Sequence, residues 1–233
     1  MSERKGPSFT DWAWERIQAG AKTQTRRPLR WTPHEGLIKI ERDPNDPAKW
    51  IEWYEETWED RTVANGCGAA TAYVSHRCPW GRGGDRLWRP EGLVKEEDLM
   101  FALNYATYAY DAHAVRLSTG GAREHVLEWR WKRDSLPSIF MPREAARSWI
   151  VNRGVRVERL QNITTEDALA EGVEFDHEHG GGWRDYLDAE PDGVCACPDP
   201  VTSFASLTDS IYGVGTWAKN GHIWVLDFER EDA

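Results

Sequence analysis

Fourteen tryptophans in 233 residues are the tightest constraint on what this chain can become. A surface carrying that many indole rings would be a broad apolar patch prone to association. Some rings must therefore sit in a core wide enough to hold them, and the rest suit stacking against flat ligands. Hydrophobic residues make up 40% of the chain, which favours a packed core over wholesale disorder. The length fits one large domain, or a small domain carrying insertions.

The formal net charge is −10. Proteins that track along a nucleic-acid backbone normally present a basic face, because affinity comes from releasing phosphate counterions. An acidic total argues against long DNA or RNA as the main partner and favours a nucleoside-sized one, although a local basic groove remains compatible with it. The first ten residues contain no apolar run, so no signal peptide is expected, and no stretch reaches a membrane-spanning length. Four cysteines (Cys67, Cys78, Cys195 and Cys197) are too few for a disulfide scaffold of this size, so a cytoplasmic protein is expected.

Local signals give an order of elements. Thr10 is placed to cap a helix carrying Trp12, Trp14 and Ile17, which should end near Gly20. Residues 31 to 66 are acidic and rich in Pro, Trp and Glu, and read as an insertion with one or two short strands. Strands are expected from Asp85, through the aromatic run at Tyr105 to Tyr110, and over Val126 to Trp131. Pro137 to Arg147 reads as a turn with about one helical turn. Ile150 to Leu160 is the clearest strand, with Gly154 marking a bulge. Thr164 and Asp167 form a capping pattern for a short helix to Glu171. Residues 174 to 200 read as a second, polar insertion. Phe204, Leu207 and Ile211 lie at helical spacing, with Ser203 as cap and Gly213 as stop, and Ile223 to Phe228 is a further strand. Strand–helix alternation and a glycine-rich phosphate loop are both missing, so a doubly wound sheet fits poorly.

The segment Gly20-Ala21-Lys22-Thr23-Gln24-Thr25-Arg26-Arg27 concentrates the chemistry. In an extended conformation Thr23, Thr25 and Arg27 share one face, with Gln24 and Arg26 on the other. By composition alone it is a solvated basic turn at a helix end, where cations suit the dipole. Gly20, Lys22, Thr25 and Arg27, however, fit the pattern G-x-K-x-x-T-x-R, which resembles the opening signature of ASCH domains, β-barrels of the PUA-like superfamily. Gly84-Asp85-Arg86-Leu87-Trp88 is similar to that family's G-D-x-L segment. Ser138 to Pro142 and Val155 to Gln161 resemble its bacteriophage and prophage members. Ala168 to Gly172 and Trp224 to Phe228 complete the likeness. One departure is Arg89-Pro90-Glu91, where phage-type members have V-R-E, so that arginine's role passes to no residue here.

One branch of the family hydrolyses the amide of cytidine acetylated on its exocyclic amine, using a lysine, a threonine and a glutamate. The resemblance implies Lys22, Thr25 and Glu171 for these roles, with Glu166 and Glu174 as nearby alternatives to the last. A threonine hydroxyl needs a neighbouring base to attack a carbonyl, and a buried lysine with a lowered pKa serves as one. In that scheme Thr25 attacks, Lys22 takes its proton, and Glu171 assists proton transfer. Arg27 or a backbone donor steadies the oxyanion, and Gly20, Arg26 and Arg27 form the substrate-binding set. The ordinary reading of the trio is a buried ion pair beside a capping hydroxyl.

The cysteines, with His76 near Cys78, are soft ligands on loops that could build a structural zinc site, but they lack the usual two-residue spacing, and the favoured reading is four reduced thiols with no metal. The His177-Glu178-His179 cluster reads as solvated. The chain as a whole is expected to be a single α+β domain over 1–233: a PUA-like (ASCH) mixed β-barrel with a few short helices and two loop insertions, at about 31–66 and 174–200. Its expected partner is a modified nucleoside or a short nucleic acid, with no cofactor, no membrane and no indicated protein partner. Amide hydrolysis of an N4-acylated cytidine is the favoured function. Its rivals are a non-catalytic RNA- or DNA-binding module of phage origin, and a ribonuclease with a phosphate cleft at Arg26 and Arg27.

Overall fold

The structure is a computed structural model that describes residues 2–60, 66–96, 107–110, 131–133, 135–177, 181–187 and 197–231. In chain order it runs β1 (Glu3–Lys5), α1 (Asp11–Gln18), β2 (Gln24–Pro28), β3 (Leu37–Arg42), β4 (Lys49–Asp60) and β5 (Gly66–Arg77). There follow β6 (Arg86–Trp88), β7 (Leu93–Glu96), β8 (Thr107–Tyr110), β9 (Ser135–Leu136) and β10 (Trp149–Arg159). The remainder is α2 (Thr165–Ala170), β11 (Phe175–Asp176), β12 (Gly182–Trp183), α3 (Pro200–Tyr212), α4 (Thr216–Lys219) and β13 (His222–Glu231). The class is α+β, mostly strands in sheets with few helices.

The organising sheet has the order β1-β6-β10-β13-β2, parallel only between β1 and β6. The strands at Asp85, Val155 and Val225 thus share one sheet. Its edge strands do not pair among the described residues, so the sheet is open where a closed barrel was expected. The register of β10 against β13 slips between Asn152 and Gly154, at the glycine read as a bulge. β13 is buried on both faces, which explains its almost continuous apolar run. Trp224, Leu226 and Phe228 pack under α1 with Trp14 and Ile17, whereas Ile223 and Val225 pack with Leu160, Ala168, Phe204 and Leu207 from the α2–α3 side.

The helix ends follow local chemistry. Thr10 Oγ1 accepts from the Ala13 N–H at 3.2 Å, and Thr164 Oγ1 from the Asp167 N–H at 3.2 Å. α3 begins a turn earlier than expected: Asp199 is its cap, accepting from the Thr202 N–H at 2.9 Å, and Pro200 takes the first position. Ser203 is buried inside the helix instead, donating to the Arg184 carbonyl at 2.6 Å.

The first insertion is larger and more regular than its composition suggests. β3, β4 and β5 form an antiparallel meander in which β4 and β5 pair over twelve residues, reaching past residue 66 to Arg77. Its hub is Glu52, whose side chain is fully buried. Glu52 accepts from Trp31 Nε1 at 2.9 Å, and it meets His34 Nδ1 at 2.9 Å and His76 Nε2 at 2.8 Å. Trp31 and His76 stack with ring centres 3.7 Å apart. The second insertion holds the two-residue hairpin β11–β12, with Trp183 bridged to Cys197. Pro137 to Arg147 contains two 3-10 turns, Ser138–Phe140 and Arg143–Ala145. The strand expected over Val126 to Trp131 lies outside the described residues except for Trp131, as does Tyr105. No described helix is long and apolar enough to cross a membrane.

Candidate functional site

β2 is an edge strand, and a cavity of about 640 Å³ opens along its free side, between α1 and α3. That volume lies in the range of roughly 300–1,000 Å³ usual for small-molecule sites. Trp12, Tyr186, Phe204 and Tyr212 supply aromatic walls, and Lys22, Arg26 and Glu171 supply charge. Trp12 and Tyr186 meet edge to face at 5.7 Å.

The basic segment is not a solvated turn, because Lys22, Gln24, Thr25 and Arg26 are all buried. Gly20, at φ +72°, ends the turn after α1, and a side chain there would meet nothing within 4 Å. It shapes the backbone and is not among the residues lining the cavity, which corrects its place in the binding set. The Thr23 N–H then donates to the Ala170 carbonyl at 2.8 Å and its carbonyl accepts from the Phe228 N–H at 2.8 Å, so the segment is stitched to both α2 and β13.

Lys22 and Glu171 are brought together. Lys22 Nζ donates to Glu171 Oε2 at 2.6 Å and to the Glu171 carbonyl at 2.7 Å, with both side chains 4% exposed. Burial pushes the lysine pKa down, against the attraction of Glu171, and the Arg27 and Arg26 charges push the same way as burial. The close approach depends on Gly172, at φ +85°, where a Cβ would lie 3.1 Å from the Lys22 Cβ. Of the alternatives to Glu171, Glu174 pairs with Arg184 at 2.7 Å, and Glu166 is exposed on α2.

Arg26 lines the same cavity but is largely committed. It reaches Glu158 at 2.8 Å, Asp167 at 2.9 Å and the Gln24 side chain, and its Nη1 stands 3.7 Å from Glu171 Oε1. Asp167 is pulled below the usual carboxylate range: burial opposes this, but the Gln24 hydrogen bond and the Arg26 and Arg156 charges prevail. Arg26 therefore holds the wall beside Glu171 with both terminal nitrogens committed, and only its Nε lacks a partner. Arg27 lines the cavity from the other face of β2, donating to the Ser8 carbonyl at 2.9 Å with its guanidinium over Phe9.

Thr25 is the residue the structure does not bring to the cavity. It pairs in register with Leu226, so its side chain lies on the sheet face under α1, fully buried and outside the cavity lining. Its hydroxyl has no hydrogen-bond partner. The attacking role given to it from the sequence needs a hydroxyl that reaches the substrate, and this one is enclosed in the core.

Three polar atoms on cavity residues have no hydrogen-bond partner: the acceptor Glu171 Oε1 and the donors Trp12 Nε1 and Arg26 Nε. Buried polar groups are almost always paired, so an unpaired acceptor and donor around one cavity point to a ligand. Nothing in the sequence marks Tyr186, which lies within the polar insertion. Phe204 was legible only as a residue on a helix face.

The Asp85 of the G-D-x-L segment serves the frame: it accepts from the Ser2 N–H at 3.0 Å and from the Arg82 N–H at 3.2 Å, and pairs with Arg4. Arg89 bonds Asp11 at 2.9 Å and Glu91 at 3.1 Å and covers the Trp14 ring, tying α1 to the sheet. Cys78 and Cys197 are buried and joined in no described disulfide, and burial pushes the Cys78 pKa up to about 11, which keeps it an inert thiol. Among the described residues no cluster of three or more His, Cys, Asp or Glu side chains is arranged to hold a metal. The Cys67 side chain, Cys195, Glu178 and His179 lie outside them. Comparison of the chain with family models, curated proteins and solved structures gave no match.

Proposed function

We propose that the cavity at the free edge of β2 binds a nucleobase, and that the chain is a single PUA-like domain of the ASCH type whose sheet is left open. The observation that carries this reading is Glu171 Oε1, which accepts no hydrogen bond although Arg26 stands 3.7 Å away, beside Lys22 in an aromatic-walled cavity. A cytosine edge presents an amine donor next to ring acceptors, which a carboxylate and a neighbouring cation complement. Trp12 and Tyr186 suit the faces of a flat ring.

The reaction proposed is hydrolysis of the amide of an N4-acylated cytosine, with roles that follow the geometry. Lys22 faces the Glu171 carboxylate at 2.6 Å, and as an ammonium it keeps a third N–H beyond its two described hydrogen bonds to stabilise the oxyanion. Glu171 takes a proton from a water as the water oxygen adds to the acyl carbon, and returns it to the exocyclic nitrogen as the C–N bond breaks. The carboxylic acid, which loses its proton to solvent, and the cytosine leave. Thr25 takes no part in this scheme, and the commitment of Arg26 to Glu158 and Asp167 argues against a ribonuclease cleft built on it.

The test is incubation with acylated nucleosides and short RNAs, read by mass spectrometry. Loss of the acyl group with the native protein and not with Glu171→Gln supports the reading. Tight RNA binding with steep salt dependence and no hydrolysis would transfer it to the binding module.

A further inference from the structure

A second cavity, of about 530 Å³, adjoins the first and shares Ser8, Arg27 and Pro28 with it. Its character is different. Three cations line it (Lys5, Arg27 and Arg30), and no carboxylate does. Among the described residues none of the three has a carboxylate partner: Lys5 donates to the Ile139 carbonyl, and Arg27 to the Ser8 and Arg26 carbonyls and the Tyr212 hydroxyl. In a chain of net charge −10, where Arg26, Arg86, Arg89, Arg147 and Arg156 are each held by acidic side chains, three cations without a described carboxylate partner gather around one hollow.

The walls narrow the choice of ligand. Pro7, Pro28, Pro79 and Pro90 offer no N–H donors and little freedom. Trp80 and Trp224 form apolar floor, but they are only 7% and 1% exposed, so neither presents a face on which a second base could stack. What remains is space for a compact anion met by forked and point cations at the rim.

We propose that this second cavity holds the phosphate of a nucleotide whose base occupies the Lys22–Glu171 cavity, so that the substrate is an acylated cytidine nucleotide and not the free nucleoside. The inference rests on the nucleobase reading of the first cavity. Arg27, which lines both cavities, is the bridge between the two halves of the ligand, and its charge is close enough to bear on Lys22.

The experiment is calorimetric titration of the native protein and of Lys5→Gln/Arg30→Gln with N4-acetylcytidine and with its 5′- and 3′-monophosphates, at two salt concentrations. Both variant positions are at the rim, outside the lining of the base cavity. A monophosphate should bind about tenfold or more tighter than the nucleoside at low salt, the advantage shrinking as salt rises. The double variant should lose that advantage and keep its nucleoside affinity. Nucleoside binding with no gain from the phosphate would overturn the phosphate site and leave the base cavity standing. A gain that survives in the double variant would remove these residues as its source. Failure of nucleoside and nucleotides alike would bring down both readings.

Discussion

Lys22 grips Glu171 twice, through the carboxylate at 2.6 Å and through the backbone carbonyl at 2.7 Å, across 149 residues of chain. The second bond gives the ammonium a carbonyl at the end of α2, where a cation is favoured, so the pair is anchored at one end by the backbone. Removing Glu171 leaves the Lys22 charge buried without its counterpart, and removing Lys22 leaves Glu171 with only Arg26, at 3.7 Å. Lys22→Met and Glu171→Leu should each destabilise by about 3–5 kcal/mol, and the double variant should recover much of the loss. Urea unfolding midpoints across the four proteins of the cycle decide it. Additive losses would show that the pair contributes no coupling.

The lysine also gives the protein an alkaline signature. Its pKa is lowered on folding, chiefly by burial, so the unfolded chain holds more protons between the folded value and the ordinary 10.5. Stability should therefore rise with pH through that window, and the cost of burying the charge is fully present below it. Comparing denaturation of native protein and Lys22→Met at pH 7 to 10.5 isolates this slope, which should be absent from the variant.

Thr25→Val keeps the shape of the side chain and removes a buried hydroxyl that bonds nothing. The fold should be as stable or up to about 1 kcal/mol more stable, and any hydrolysis should persist. Abolished turnover in a well-folded Thr25→Val protein would restore the hydroxyl to the mechanism.

Glu52 ties the segment carrying Trp31 and His34 to the β4–β5 sheet, where it also meets His76. Burial works to raise its pKa, but the hydrogen bonds from His34, His76 and Trp31 prevail and the pKa is lowered. Its stabilising share should be present above about pH 4.5 and lost as pH falls through the lower folded value. Glu52→Ala strands several donors and should cost about 3 kcal/mol or more, with the tryptophan fluorescence of Trp31 changing in step. Unchanged fluorescence and stability would contradict this account.

Gly172→Ala tests the approach of α2 to the basic segment. The substitution meets both an unfavourable φ and the Lys22 Cβ at 3.1 Å. A loss of about 1–2 kcal/mol is expected, with nucleoside binding weakened because Lys22 is displaced. Equal affinity for nucleosides in the variant would show that Lys22 is not held by this contact.

Local chemistry was legible and long-range chemistry was not. The caps at Thr10 and Thr164, the bulge at Gly154 and the β13 strand follow from side chains a few residues apart, and these the sequence announces. Lys22 and Glu171 could be named only through resemblance, because nothing within 149 residues of sequence says that they touch. The length of β4 and β5 was hidden by composition. The acidic stretch read only as an insertion with one or two short strands, whereas Glu52 within it is the buried hub of that sheet. Thr25 was misplaced because alternation along a strand states which residues share a face, but not which face meets the cavity.

The pairing of β2 with β13 sets a timetable for synthesis. Residues 24 to 28 leave the ribosome almost two hundred residues before the strand that receives them. Until then Lys22 has no fixed neighbour in β13's sheet, and the closure of so long a loop favours late assembly. The cavity is thus a product of the finished fold: a nascent chain carrying every one of its charged residues up to Arg184 would still be unable to hold a ligand.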